Sequence, residues 1–243
     1  MDNDKSKGKI ALVTGASSGI GRAIVKHLAK DKINITLVGR NVEKLESVNN
    51  EIKQFGIKTL VLSGDLEDDA FLNCCIDKTV QFFGGLDILI NNAGIALNST
   101  IEDTSTAQFD QIMKVNVRAP FFLCQAAIKW LRKSEYATVI NISSVVGYKG
   151  YPNQSAYTAS KHALSGFSKA LSNEVFEQGI RVHLISPGGV YTDMVSVMRP
   201  DLSSEGMIMP EDIANIVGFL INNRSNAVID EIRVRRTGKE PFA

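Results

Sequence analysis

Tyr157 and Lys161 stand four residues apart in a segment that reads as helix, so their side chains share one face. A free phenol titrates near ~10 and is a poor acid or base at neutral pH. A neighbouring ammonium favours the phenolate, so the pair is expected to draw the Tyr157 pKa down toward neutrality. Ser143 and Ser144 end a β-branched run, Thr138–Ile142, that reads as a strand. In an open parallel sheet the carboxyl ends of strands face the ligand crevice. The residue types alone do not separate the two serines. A phenol, an ammonium and a hydroxyl at one sheet edge suit proton transfer to or from a substrate oxygen.

The elements that must position these groups follow from hydrophobic periodicity. Short apolar runs at Ile10–Val13, Ile33–Val38, Thr59–Leu62, Ile88–Ile90, Thr138–Ile142, Val182–Ile185 and Val228–Val234 read as strands. Between them lie segments with apolar residues three and four apart, such as Ile112, Val115, Ala119 and Phe122. Strands alternating with helices imply βαβ units and a parallel sheet covered on both faces.

Composition narrows the partners. The 243 residues carry 27 Lys plus Arg and 26 Asp plus Glu, a net charge of +1. That balance supplies no field for nucleic acid or an anionic membrane, so neither is expected as a partner. No apolar run approaches the ~18 residues of a membrane span, and Met1–Lys9 lacks the apolar middle of a signal peptide. Cys74, Cys75 and Cys124 show no CxxC or ligand spacing and read as core residues of a reduced compartment. A cytoplasmic protein is expected. His27, His162 and His183 form no ligand set, and no metal site is expected.

The first strand runs into Thr14-Gly15-Ala16-Ser17-Ser18-Gly19-Ile20-Gly21, after which a helical pattern opens. Glycines there let backbone N–H groups approach a pyrophosphate at the positive end of a helix. The second strand ends Leu37-Val38-Gly39-Arg40-Asn41. A site for NAD places an acid about 20 residues beyond the turn, on the ribose hydroxyls. Here Gly39 stands where that acid would be, and the Arg40 guanidinium matches a 2′-phosphate in charge and geometry. NADP(H) is therefore expected over NAD(H).

Read with Asn91-Asn92-Ala93-Gly94 and Tyr157-Thr158-Ala159-Ser160-Lys161, the glycine turn resembles the short-chain dehydrogenase/reductase family, in its 3-oxoacyl-reductase-like branch. The resemblance runs from Lys9 to about Val234. It implies an α/β fold: a single Rossmann-type doubly wound domain over 1–243 with a mostly parallel seven-stranded sheet. Family spacing selects Ser144, thirteen residues before Tyr157, to hold the substrate oxygen, and leaves Ser143 a supporting role. Lys161 would hold the nicotinamide ribose, and Asn116 would help hold a water in a proton relay. Gly15, Ser17, Ser18, Gly19, Ile20 and Gly21 would take the pyrophosphate. Arg40 and Asn41 would take the adenosine ribose, and Asp65 with Leu66 the adenine. Asp65 is also expected to cap a helix starting near Glu67. Asn92, Ala93 and Gly94 would line the cofactor beside Tyr157 and Lys161, with Asn91 bracing the strands. Pro187, Gly188, Val190 and Thr192 would orient the carboxamide.

The expected activity is reduction of a ketone, a 3-oxoacyl thioester among them, to a secondary alcohol with NADPH, Tyr157 giving the proton. One alternative is an NADP-dependent dehydrogenase of a 3-hydroxy acid or amino-alcohol, with Arg199 or Lys149 as the cation in the pocket. Another is a cofactor-binding regulator or scaffold, against which the intact Ser144, Tyr157 and Lys161 set weighs. The irregular stretch 187–210 is expected to form a substrate lid. Gly189 and Gly206 would be its hinges, Met194 and Met198 would touch substrate beside Tyr151, and Met209 would pack beneath. Met207 belongs to the same methionine cluster. Helices over about 106–131 and 154–178 would join a homodimer or homotetramer, as the family resemblance implies. Phe121, Phe122, Ala126 and Ala127 on the first, and Phe167, Ala170 and Leu171 on the second, could supply its apolar faces. The ending Ile229–Arg236 departs from the Gly-Gly common in the family, which makes the tetramer less secure than the dimer.

Overall fold

The computed structural model describes residues 8–192, Val195 and 203–241. Seven strands form one sheet in the order β3-β2-β1-β4-β5-β6-β7, and every pairing is parallel. The strands are β1 (Ile10–Thr14), β2 (Asn34–Gly39), β3 (Thr59–Ser63), β4 (Ile88–Asn91), β5 (Thr138–Ile142), β6 (Arg181–Pro187) and β7 (Glu231–Val234). The sheet is thus fully rather than mostly parallel. Helix-length connections carry each strand back to its starting edge, as parallel neighbours require.

The helices are α1 (Gly19–Lys30), α2 (Val42–Ile52), α3 (Asp69–Phe83), α4 (Thr106–Met113), α5 (Ala119–Leu131), α6 (Ser155–Val175) and α7 (Pro210–Asn222). Each buries one stripe. Ile24, Val25 and Leu28 of α1 join Ile213 and Val217 of α7 on one sheet face. Leu72 and Ile76 of α3, Leu123 and Ala127 of α5, and Leu171 and Val175 of α6 cover the other. Both faces are therefore dry, which is why β1 and β5 are buried along their whole length. Among the described residues no helix is long and apolar enough to cross a membrane.

Local chemistry sets the helix ends. Asp68 caps α3 by accepting from Ala70 N–H, and Ser105 with Gln108 forms a reciprocal cap on α4. Asp65 does not cap α3: its carboxylate accepts from Glu67 N–H in a turn before the helix begins. A π-helical turn, Lys114–Arg118, fuses α4 and α5 into one rod and carries Asn116. Cys75 and Cys124 are buried, and burial pushes both thiols up to about 12, so they act as core residues.

Candidate active site

The strand order reverses between β1 and β4, and their carboxyl ends open a crevice. Side-chain bonds weld its two lips. Thr14 Oγ1 accepts from Asn92 N and Ala93 N, both at 3.0 Å, while Asn92 Nδ2 donates to Thr14 O at 3.0 Å. Next door, Asn91 Nδ2 donates to Asn141 Oδ1 at 2.8 Å, joining β4 to β5 beneath the crevice floor.

The glycine turn is shaped for a ligand. Gly15 has φ +66°, and a Cβ there would fall 2.8 Å from Asn92 Nδ2. Helix α1 starts at Ser18 with no side-chain cap and no acid in its first turn, which leaves its positive end for an anion. A cleft of about 450 Å³ runs from this turn to Tyr157. Of the expected cofactor residues, its lining includes Gly15, Ser17, Ser18, Gly19, Ile20, Arg40, Asn41, Asp65, Leu66, Asn92, Ala93, Gly94, Tyr157, Lys161 and Thr192. These residues fit a dinucleotide.

Four expected cofactor residues lie behind the lining. A Cβ on Gly21 would strike Gly15 O at 2.1 Å, so this glycine lets α1 pack on the turn. Pro187 ends β6, and Gly188 N–H is spent on Val234 O at 2.7 Å. Val190 pairs with Ile208 through its neighbours, Ile208 N to Gly189 O and Tyr191 N to Ile208 O, which leaves Val190's own N–H outside that bridge. The lining also includes Lys44, which no sequence motif marked. Lys44 and Arg40 are both exposed, and neither side chain makes an ion pair or hydrogen bond among the described residues.

Tyr157 and Lys161 do share a face of α6, with Lys161 Nζ 5.9 Å from the Tyr157 ring centre. Lys161 is buried, and its Nζ donates to Ile142 O at 2.9 Å. The expectation of a lowered phenol pKa is overturned. Burial pushes Tyr157 above its ordinary value, and the neighbouring Ser144 hydroxyl opposes this only in part. Burial also brings Lys161 down to about 8, which leaves it mostly charged at neutral pH.

Ser143 and Ser144 differ in their side-chain partners, although the cleft lining includes Ser143 and not Ser144. Ser144 is half-buried beside Tyr157, with its Oγ accepting from Val146 N–H at 3.3 Å, whereas Ser143 is buried with its Oγ 3.1 Å from Ser165 Oγ. Asn116 Nδ2 donates to Ile95 O and Ser160 Oγ, which uses both of its hydrogens, and Oδ1 accepts from Ile95 N with one lone pair to spare. Its side chain holds the loop after Gly94 to α6.

The sequence pattern of the short chain dehydrogenase family matches residues 9–203. This chain belongs to that family. It is 37% identical over 231 residues to the 3-oxoacyl-(acyl-carrier-protein) reductase FabG of Rickettsia bellii, covering 91% of this chain and 92% of the relative. General stress protein 39 of Bacillus subtilis is 36% identical, over 82% of this chain and 69% of its own. Among solved structures, a metagenomic short-chain oxidoreductase in complex with NADP superposes with a TM-score of 0.84 at 32% identity, over 95% of this chain and 98% of that one. The protein is an NAD(P)-dependent oxidoreductase with the family's fold.

The substrate side of this short-chain dehydrogenase differs from the sequence reading in several places. Met194, Met198 and Arg199 lie outside the described residues. Met209 does not pack beneath a loop; it is exposed at the start of α7, where its N–H donates to Asp212. Met207 is buried instead, with its Sδ accepting from Arg236 at 3.0 Å. Gly206 has φ +68°, whereas Gly189 does not have positive φ. Tyr151 is exposed on the loop after Ser144, and Lys149 is half-buried there. His183, on β6, is buried with Nδ1 on Ile229 O at 2.7 Å. On the helices considered for assembly, Ala127 and Leu171 face the core, while Phe121 is exposed and meets Phe167 at 5.1 Å.

Proposed function

We propose that this protein reduces a ketone to a secondary alcohol using NADPH, and that its substrates include 3-oxoacyl thioesters. The observation that carries the reading is one cleft that joins an uncapped helix N-terminus and two unpaired cations at one end to Tyr157 and Lys161 at the other. The bound dinucleotide supplies a hydride to the carbonyl carbon. Everything else falls to the chain's own side chains.

Arg40, with Lys44 nearby, would hold a 2′-phosphate, and the amides at the start of α1 the pyrophosphate. Val190 N–H and the Thr192 hydroxyl would fix the nicotinamide amide. Tyr157 gives its proton to the carbonyl oxygen. Burial holds its pKa above the ordinary phenol value, so Tyr157 carries the proton that a reduction requires. Ser144 donates a hydrogen bond to the same oxygen as negative charge gathers there. Lys161, whose Nζ donates to Ile142 O on the same face of the cleft, would stabilise the phenolate left behind and could also hold the cofactor's ribose. Asn116 keeps the loop after Gly94 seated so that this lysine has one geometry.

The thioester element draws on likeness to the Rickettsia bellii reductase, which carries that activity in its name. The test is loss of absorbance at 340 nm with NADPH or NADH against ketones, hydroxy-ketones and 3-oxoacyl thioesters. NADPH oxidation on at least one ketone, tenfold or more above NADH, is expected. Turnover with NADH alone contradicts the cofactor assignment, and no turnover on any carbonyl contradicts the reaction.

A further inference from the structure

Two hydroxyls outside that chemistry are buried where α6 meets the end of β5. Ser165 follows Lys161 by one helical turn, and its Oγ donates to Lys161 O at 2.8 Å. Ser143 Oγ lies 3.1 Å from Ser165 Oγ and 3.4 Å from the same carbonyl. Over them sits Gly147, the last residue of the short 3-10 turn Val145–Gly147. A Cβ on Gly147 would fall 2.5 Å from Ser143 Oγ, 2.7 Å from Ser165 Oγ and 3.2 Å from Lys161 O. Ser143 and Gly147 bracket Ser144, so the turn bearing Ser144 is held at both ends to the helical turn that starts at Lys161. The contact of Lys161 Nζ with Ile142 O comes from the residue just before Ser143.

A second pair of the same kind lies one turn further along α6. Ser168 Oγ donates to Leu164 O at 2.7 Å and accepts from Asn141 Nδ2 at 2.8 Å. That pair anchors the helix to β5 as firmly, yet it is not among the atoms nearest Gly147. It shows what plain anchoring does without contact to the Ser144 turn.

We propose that the Ser143–Ser165 hydroxyl pair, seated on the Lys161 carbonyl beneath Gly147, sets the spacing between Ser144 and the Tyr157–Lys161 face. Both are positioning residues: Ser165 is not part of the cleft lining, and Ser143, which is, turns its hydroxyl to Ser165 and the Lys161 carbonyl. The proposal rests on the roles given above to Ser144, Tyr157 and Lys161. Buried polar groups that satisfy each other fix one arrangement, and a misplacement of about 1 Å costs on the order of 100-fold in rate.

The experiment uses the full chain, NADPH and a ketone the unaltered enzyme reduces. Ser143→Ala and Ser165→Ala are expected to lower kcat about 10- to 100-fold with KM for NADPH unchanged, and to shift the pH profile of kcat. Ser168→Ala is expected to lower the melting temperature at least as much, because Asn141 Nδ2 loses its partner, with a far smaller change in kcat. Gly147→Ala is expected to be worse than either serine variant. Combining it with Ser143→Ala and Ser165→Ala removes the two nearest of the three oxygens its methyl would meet and leaves only Lys161 O at 3.2 Å, so kcat should recover most of the way to the level of that serine double variant. Wild-type kcat in Ser165→Ala overturns the proposal, as does a loss matched by Ser168→Ala or a Gly147→Ala defect that the serine changes fail to relieve. Tyr157→Phe is assayed alongside. If it is fully active the catalytic reading falls; if it is inactive while Ser165→Ala is normal, only the positioning claim falls.

Discussion

Strands β1 and β7 belong to one sheet but are held by different forces. All five residues of β1 are buried, and Thr14 at its end is tied to Asn92 and Ala93 by hydrogen bonds. None of the four residues of β7 is fully buried. It is held by parallel pairing with β6 and by Ile232 and Val234, half-buried against the core. Its outer side carries charge: Arg233 bonds Glu231 at 2.9 Å and lies 4.3 Å over the Tyr148 ring, while Lys169 approaches Glu231 at 3.9 Å. Beyond it, Arg235 donates to the carbonyls of Arg236, Thr237 and Lys239, and Arg236 reaches Met207. Exposed ion pairs contribute little to stability, whereas a dry, close-packed strand cannot shift without opening a cavity. The residues proposed above to hold the cofactor at 15–21 and 92–94 follow buried central strands, β1 and β4.

The largest contrast is in stability. Leu12→Ala, in the centre of β1, is expected to cost about 2–5 kcal/mol, and Ile232→Ala, half-buried in β7, about 1 kcal/mol or less. Urea unfolding midpoints measure both, and equal losses would break the comparison. Next comes the cofactor end. Arg40→Ala and Lys44→Ala are each expected to lower kcat/KM for NADPH about 10- to 100-fold and leave NADH unchanged. A matching loss with NADH would mean that these cations serve something other than a 2′-phosphate.

The smallest effect concerns acid. Burial holds the His183 pKa below its ordinary value; the nearby Arg181 and Arg224 act the same way, while the Ile229 carbonyl and Asp230 oppose it. The folded protein therefore keeps His183 neutral where the unfolded chain already binds a proton. Its contribution is full above the unfolded value of about 6.5 and is lost as pH falls below it. His183→Asn, which can keep a donor toward Ile229 O, should flatten the fall in melting temperature between pH 7 and 5.5. An unchanged slope would remove His183 from the account of the β6–β7 edge.

The same contrast decides what could be read before any coordinates. Strands buried on both faces leave nearly unbroken Val, Ile and Leu runs, so β1, β2 and β5 stand out in the sequence. At the charged edge the expected strand Val228–Val234 shortens to Glu231–Val234, because alternation alone does not say where pairing starts. Asp65, Asp68 and Asp69 lie too close together for residue type to show which one caps α3. The Tyr157–Lys161 spacing was legible, but the direction of the Tyr157 pKa was not, since burial leaves no mark in a motif. Lys44 and Ser165 were equally hidden. One reaches the cleft from the exposed first turn of α2, and the other is an ordinary-looking serine whose partner lies 22 residues away.

The central claim is that Tyr157 supplies the proton while the rest of the cleft holds the cofactor. Tyr157→Phe tests it most directly, with NADPH binding followed by its fluorescence and ketone reduction followed at 340 nm on the same preparation. The account predicts NADPH affinity within about twofold of the unaltered protein and a kcat lowered by about 1,000-fold or more. Turnover within tenfold of the unaltered enzyme, with NADPH still bound, would contradict it.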